Sequence, residues 1–261
     1  MSHVVYDKAG VGYNTTRRAD PYLAGRLYEM LSPSPSGLYV DIGCGTGNYL
    51  TALADKGVRF YGIDPSEVML AEARLKPNNA IFINATAEAI PIEDNFFDGA
   101  LATFTLHHWA DMQQGLREVN RVLKPGARLV MLSFTPEQLL GYWLRHYFPR
   151  MIARSCLTPS LPEMESILND TGFTLSTTEK YFIQEDLQDH FLYSNKSRPE
   201  QYLRQEVRNG ASSFTVFAEP EEVAAGLLLL EADIASGKIN EVMKQYENDL
   251  GDYLFLVAEK K

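Results

Sequence analysis

The chain has 261 residues, 45% hydrophobic and 22% charged, the balance of a globular protein long enough for one large domain or a domain with an elaboration. Its formal net charge of −10 argues against a DNA or RNA backbone as partner, since phosphate binding needs a surplus of Lys and Arg on the binding face. Two cysteines, Cys44 and Cys156, are too few for a disulfide framework or a thiolate metal cluster, and no apolar run reaches the ~20 residues that span a bilayer. The opening "MSHVVYDKAG" lacks an apolar signal core, so a cytoplasmic setting without membrane insertion is expected.

In chain order, the stretch "YDKAGVGYNTTRRADPYL" gathers Tyr6, Tyr13, Arg17 and Arg18 before any strand. Leu38–Ile42 reads as a short apolar strand, followed by a glycine loop and a helix from about Asn48 to Lys56, which Gly57 stops. Val58–Ile63 is a second strand, ending at Asp64. Pro65 and Ser66 suit a helix start, and Glu67–Leu75 continues that helix until Pro77. "AIFIN" is a third strand, and a fourth is centred on Gly99–Phe104. Asp111 is placed to cap a helix running to Leu123, and "ARLVMLSF" is a fifth strand. This alternation predicts a doubly wound, mostly parallel α/β sheet whose strands are covered on both faces. Residues 135–160 are aromatic and mildly basic. A helix over 161–170 leads into the strand "FTLSTTEKYF"; residues 184–250 read as mostly helical, and "YLFLVAE" is a final strand.

The loop "GCGTGN" has the glycine spacing G-x-G-x-G. A dinucleotide loop has G-x-G-x-x-G, and Asn48 stands where its third glycine belongs, which weakens an NAD reading. Asp64, ending a strand, suits a pair of ribose hydroxyls and serves NAD and S-adenosylmethionine alike. Asp41 is misplaced beside a diphosphate, where like charges repel, and well placed beside a sulfonium and an ammonium.

Four blocks, "VDIGCGTGNYL", "VRFYGIDPSEVML", "NATAEAIPIEDNFFDGALATFTLHHW" and "LREVNRVLKPGARLVM", resemble the class I S-adenosylmethionine-dependent methyltransferases of the ubiquinone/menaquinone-biosynthesis-like type, the methyltransferase type 11 family. They keep that family's order and spacing over about residues 10–134. The resemblance implies a seven-stranded Rossmann-like sheet with helical cap insertions, and S-adenosyl-L-methionine as cofactor. It places Asp41, Gly43, Cys44 and Gly45 at the methionine moiety, Asp64 at the ribose, Ile63 and Pro65 about the adenine, and Ala87 and Glu88 at the adenine edge. Where the family often carries an acid before that Ala-Glu pair, this chain has Thr86. Thr105, His107 and His108 follow the fourth strand, at the edge that passes the transferable methyl; a histidine there can take a proton from the acceptor. No neighbouring Asp or Cys spacing suggests a metal. Tyr13 and Arg18 are placed to close over the cofactor as a lid, with Tyr6, Trp143 and Tyr147 toward the substrate.

The implied organisation is an N-terminal helical lid (1–36), a cofactor-binding core (37–134), an aromatic cap insertion (135–160), a return to the core (161–183), a helical cap insertion (184–250) and a final core strand (251–261). The cap aromatics serve equally as a cavity lining or as packing, and "AAGLLLL" needs cover, expected from residues 135–160. A methyltransferase acting on a small molecule leads the readings. A tRNA methyltransferase, a non-catalytic S-adenosylmethionine-binding protein and an NAD-dependent dehydrogenase are the alternatives. Oligomeric state is not encoded in any of these features.

Overall fold

A computed structural model describes residues 17–261. Seven strands form one sheet in the order β3-β2-β1-β4-β5-β7-β6. They are β1 (Leu38–Ile42), β2 (Arg59–Asp64), β3 (Ile81–Asn84), β4 (Phe97–Thr103), β5 (Leu123–Ser133), β6 (Phe173–Tyr181) and β7 (Tyr253–Lys260). Every pairing from β3 through β5 is parallel, and β7 runs antiparallel between β5 and β6. The chain moves outward from β1 to β2 and β3, then returns to the other side of β1 as β4. That reversal opens a crevice at the carboxyl ends of β1 and β4, where open α/β sheets bind ligands.

Helices α1 (Pro21–Leu31), α2 (Asn48–Ala54), α3 (Glu67–Arg74) and α4 (Met112–Val122) cover the sheet. Three of the four start from a side-chain cap: Asp20 accepts from Leu23 N–H, Ser66 from Met69 N–H and Asp111 from Gln114 N–H, while α2 starts from Gly47 without one. Covered on both faces, β1, β4 and the Leu129–Ser133 part of β5 read as mostly apolar runs and are buried almost throughout.

Residues 135–160 contain three short helices, α5 (Pro136–Leu140), α6 (Leu144–Tyr147) and α7 (Pro149–Ser155). After α8 (Leu161–Asp170) and β6, the chain from 182 to 198 has no helix, unlike the mostly helical expectation. Short turns, such as Ser194 N–H to the Phe191 carbonyl, and long-range side chains satisfy its backbone instead: Gln188 N–H donates to Asp20 and Tyr193 N–H to the Tyr253 hydroxyl. Helices α9 (Gln205–Asn209), α10 (Pro220–Ser236) and α11 (Ile239–Gln245) follow, with a π-turn over Ser213–Phe217.

Helix α10 packs on the first insert, but not through its leucine run. Glu222, Gly226, Leu230 and Asp233 recur at helical spacing and form the buried face. Glu222 accepts from the Arg150 and Met151 N–H groups at the start of α7, and Asp233 accepts from the Tyr147 hydroxyl at 3.0 Å. Leu228 and Leu229 lie on the other side, 70% and 41% exposed. The expectation that the first insert covers the whole run is corrected here, because one helix presents a single face to one neighbour.

A Cβ at Gly226 would lie 2.4 Å from the Tyr147 carbonyl and 2.5 Å from the Phe148 ring. We predict that Gly226→Ala forces these two segments apart at a cost of about 1–3 kcal/mol. Thermal denaturation should register a fall of several degrees, at about 2–4 °C per kcal/mol for a chain of this size. An unchanged midpoint would mean that α10 does not pack here.

Candidate active site

The loop after β1 is held by its neighbour strand. Gly43 and Cys44 donate their N–H groups to the Ile63 carbonyl at 2.7 and 3.0 Å. Gly45 N–H donates to Asp64 Oδ2 at 2.8 Å, and Ser66 N–H to Asp64 Oδ1 at 2.9 Å. Gly43, Gly45 and Gly47 have φ of 73°, 53° and 70°, a region where other residues are strained. A Cβ on Gly43 would also strike Thr105 Oγ1 at 1.9 Å, so loop and β4 edge meet without space to spare. Asn48, which a dinucleotide loop would replace with glycine, is used here. Its side chain donates to the Arg17 carbonyl at 3.2 Å and accepts from Lys76.

A cavity of about 210 Å³ opens above this loop, lined from the carboxyl ends of β1, β2, β3 and β4. Asp41 and Asp64 both face it and both are buried. Asp41 Oδ1 has no hydrogen-bond partner. Burial, with the Asp64 charge adding, pushes the Asp41 carboxyl up to about 7. Burial raises Asp64 as well, against the pull of the two backbone N–H groups it accepts. An ionised carboxylate keeps further lone pairs, so Asp64 can still accept from a diol.

Beyond the cavity's far wall lies a second one of about 70 Å³. Arg17, Phe104 and His108 line both. Phe104 has φ 53°, an uncommon conformation for a bulky residue, and it turns the chain at the end of β4. Its ring packs on Phe191 and Tyr253, with centroids 4.6 and 5.1 Å away. Arg17 Nε and Nη2 bond Asp189 Oδ1 and Oδ2 at 2.5 and 3.1 Å, and the Tyr49 hydroxyl donates to Asp189 Oδ2 at 2.9 Å. The His107 and His108 rings touch at a tilt of 52°, with centroids 3.7 Å apart. Burial, then the Arg17 charge, lowers His107 to about 4; burial, then the charges of His107 and Arg17, lowers His108 well below its ordinary value. Both rings are neutral near pH 7.

The residues singled out from sequence fall into distinct places. Asp41, Gly43, Cys44, Gly45, Asp64, Pro65, Ala87, Glu88, Thr105 and His108 line the first cavity, and His107 lines the second alone. Glu88 also accepts from Ala110 and Asp111 N–H, fixing the turn before α4. Thr105 Oγ1 accepts from Trp109 Nε1 at 3.3 Å. Ile63 is buried and lines neither cavity; its carbonyl holds the loop instead. Arg18 is exposed, and the adjacent Arg17 is the arginine at the cavities, a one-residue correction set by the pairing with Asp189. Tyr147 is corrected from lining to packing, and Trp143 lines neither of these two cavities but a third, of about 250 Å³, beside Tyr142, Tyr193 and Lys196. Trp143 Nε1 donates to the Lys196 carbonyl and its ring meets Tyr147, Tyr193 and Tyr202, away from both cavities. Tyr6 and Tyr13 lie outside the described residues. Sequence reading missed Phe104, Tyr49 and Asp189. Nothing local separates Asp189 from the other acids of the C-terminal part.

These features fit S-adenosylmethionine. An unpartnered buried carboxylate faces the cavity, as a sulfonium and an ammonium require. Gly45 lines it too, and a Cβ there would meet nothing but open space within 4 Å. Among the described residues, no helix is long and apolar enough to cross a membrane.

Comparison with known proteins agrees. Residues 40–131 match the profile of a methyltransferase domain. An uncharacterized methyltransferase of Mycobacterium tuberculosis is 32% identical over 136 residues, covering 52% of this chain and 55% of that protein. A demethylmenaquinone methyltransferase of Thermus thermophilus is 36% identical over 121 residues, covering 43% and 55%. The chain thus spans about half the length of these curated relatives. A crystal structure from Anabaena variabilis, provisionally described as a methyltransferase from an antibiotic biosynthesis pathway, is similar across the whole chain. It is 30% identical, with a TM-score of 0.83, over 93% of this chain and 98% of that one.

The raised Asp41 gives a pH dependence of definite sign. Its ordinary value is 3.8, and at about 7 in the folded protein it carries a proton below neutrality and loses it above. A cationic ligand favours the ionised form. We predict that calorimetry will find S-adenosylmethionine binding about tenfold weaker at pH 6 than at pH 8, with the dependence flattened in Asp41→Asn. Affinity that rises as the pH falls would contradict the assigned role of Asp41.

Proposed function

The chain belongs to the class I S-adenosylmethionine-dependent methyltransferases of the methyltransferase type 11 family, and on that premise we propose that it methylates a small-molecule acceptor. The observation that carries this reading is the shared wall of two cavities: Arg17, Phe104 and His108 face both. S-Adenosylmethionine supplies an electrophilic methyl group, so placement of the acceptor provides much of the catalysis.

Each residue then has a part. Asp41 faces the cationic end of the cofactor, and Asp64 accepts from the ribose hydroxyls while tying the glycine loop to β2. Pro65 and Ala87 border the adenine. Thr105 sets the spacing between the loop and the β4 edge through its contact with Gly43. His107 and His108 are neutral near pH 7, and because burial and the Arg17 charge disfavour their protonated forms they are weak bases, so the transfer rests on placement more than on proton removal. Arg17 and Phe104 close the junction and exclude water from it.

The demethylmenaquinone methyltransferases among the relatives match about half of this chain, so their acceptor is not carried over. The second cavity, small and walled by the two inserts, supports a small acceptor over a nucleotide within tRNA.

Calorimetry with S-adenosylhomocysteine tests the cofactor half of the proposal. Asp64→Ala removes charge-assisted acceptors worth about 1.5–3 kcal/mol each and loosens the loop that Gly45 N–H anchors. Affinity should fall at least tenfold in a protein with native circular dichroism. Unchanged affinity in that variant would remove Asp64 from the ribose site.

A further inference from the structure

A methyltransferase must admit a cofactor whose sulfur is positively charged and release a product whose sulfur is not. Among the described residues, Arg17 is the only side chain lining the first cavity that is cationic near pH 7. Resting on the methyl-transfer reading, we infer that Asp189 is a specificity-determining residue: by neutralising Arg17 it keeps this cavity open to the sulfonium of S-adenosylmethionine.

Arg17 stands at the end of the cavity where that charge matters. Pro65 and Ala87, which border the adenine in this reading, line the first cavity alone, whereas Arg17 lines both cavities with Phe104 and His108. The methyl group has to leave toward the acceptor, so its sulfonium lies toward that shared wall. The field of Arg17 also reaches the β4 edge. After burial, its charge helps to hold His107 down at about 4, and it contributes to the lowering of His108.

Two like charges shielded from water repel far more strongly than in solution. Arg17 is 13% exposed and Asp189 1%. Asp189 meets the guanidinium with both oxygens, Oδ1 to Nε at 2.5 Å and Oδ2 to Nη2 at 3.1 Å, a paired geometry that fixes orientation as well as charge. What faces the cofactor is then a dipole rather than a net cation. Asp189 is itself held in place. The Tyr49 hydroxyl donates to Oδ2, Gln188 N–H is tied to Asp20, and Phe191 N–H donates to the Asp189 carbonyl at 3.2 Å. The other carboxylates lining this cavity are committed elsewhere: Asp64 to the Gly45 and Ser66 N–H groups, Glu88 to those of Ala110 and Asp111. Asp41, pushed up to about 7 by burial and the Asp64 charge, is only partly ionised near neutrality.

A pair that merely braced the N-terminal segment against the second insert would act on every ligand of this cavity alike. S-Adenosylmethionine and S-adenosylhomocysteine differ by one methyl group and one positive charge. Their affinity ratio therefore reads the local charge and cancels general damage to the cavity.

Both ligands are titrated calorimetrically into the full chain at pH 8, without acceptor. In Asp189→Asn, S-adenosylmethionine should weaken relative to S-adenosylhomocysteine by at least about tenfold, because an unpaired guanidinium then faces the sulfonium. The double variant Arg17→Gln/Asp189→Asn removes the charges together, and its ratio should return to within about threefold of wild type. Should Asp189→Asn fail to fold, Arg17→Gln decides: it leaves the carboxylate and removes the cation, so the ratio should shift in favour of S-adenosylmethionine. Equal weakening of both ligands in Asp189→Asn overturns the inference and leaves Asp189 a brace. So does a double variant as unselective as the single one, or an unchanged ratio in Arg17→Gln. Failure of both ligands to bind the wild-type chain is a different result, and it sinks the methyl-transfer reading itself.

Discussion

The burial of Asp41 beside Asp64, at the carboxyl ends of two adjacent parallel strands, is the constraint on which the rest of the site turns. Two ionised carboxylates out of water repel each other and forgo hydration. The fold meets half of that cost by aiming the Gly45 and Ser66 N–H groups at Asp64. Asp41 Oδ1 receives nothing comparable, and burial with the Asp64 charge pushes the carboxyl up to about 7. Such a site rejects a diphosphate and welcomes a cation. It also explains why the loop needs glycine at Gly43: the backbone must turn between the two acids while Thr105 presses against it.

A second set of contacts joins what the sheet cannot. Arg17 from the N-terminal segment, Tyr49 from α2 and Asp189 from the second insert converge on the wall between the cavities. Asn48 holds the Arg17 carbonyl, and Asp20 holds Gln188 N–H. The glycine-loop helix, the segment before α1 and the second insert therefore share one polar junction. The first insert contributes differently, through buried aromatics such as Trp143 and through the α10 face that Gly226 makes possible. It holds the second insert in place over the second cavity.

Much of this was legible in the sequence, for physical reasons that can be named. The strand–loop–strand spacing around "DIGCGTG" follows from local backbone demands, so Asp41, the glycines and Asp64 could be placed without a fold in hand. The central strands β1 and β4 were legible because buried parallel strands are apolar along their length, whereas β6, antiparallel and mostly exposed, was marked by its β-branched residues. Where the answer depended on distant pairing, the sequence was silent. Arg17 and Arg18 differ by one position, and it is Asp189, over 170 residues away, that chooses between them. Phe104 reads as the end of an apolar strand, and its left-handed turn has no glycine to announce it. Trp143 and Tyr147 show that aromatic residues beside a crevice do not declare whether they line it or brace it. The leucine run misled because hydrophobic residues in succession point around a helix rather than to one side.

The most direct test of the account compares ligands whose adenosine halves are alike and whose charges are opposite. S-Adenosylmethionine and NAD, each titrated calorimetrically into the protein at pH 8, present a cation and a diphosphate to the same buried acid. The account predicts measurable binding of S-adenosylmethionine and none of NAD, because Asp41 stands where the diphosphate charge would lie. Tighter binding of NAD would contradict it.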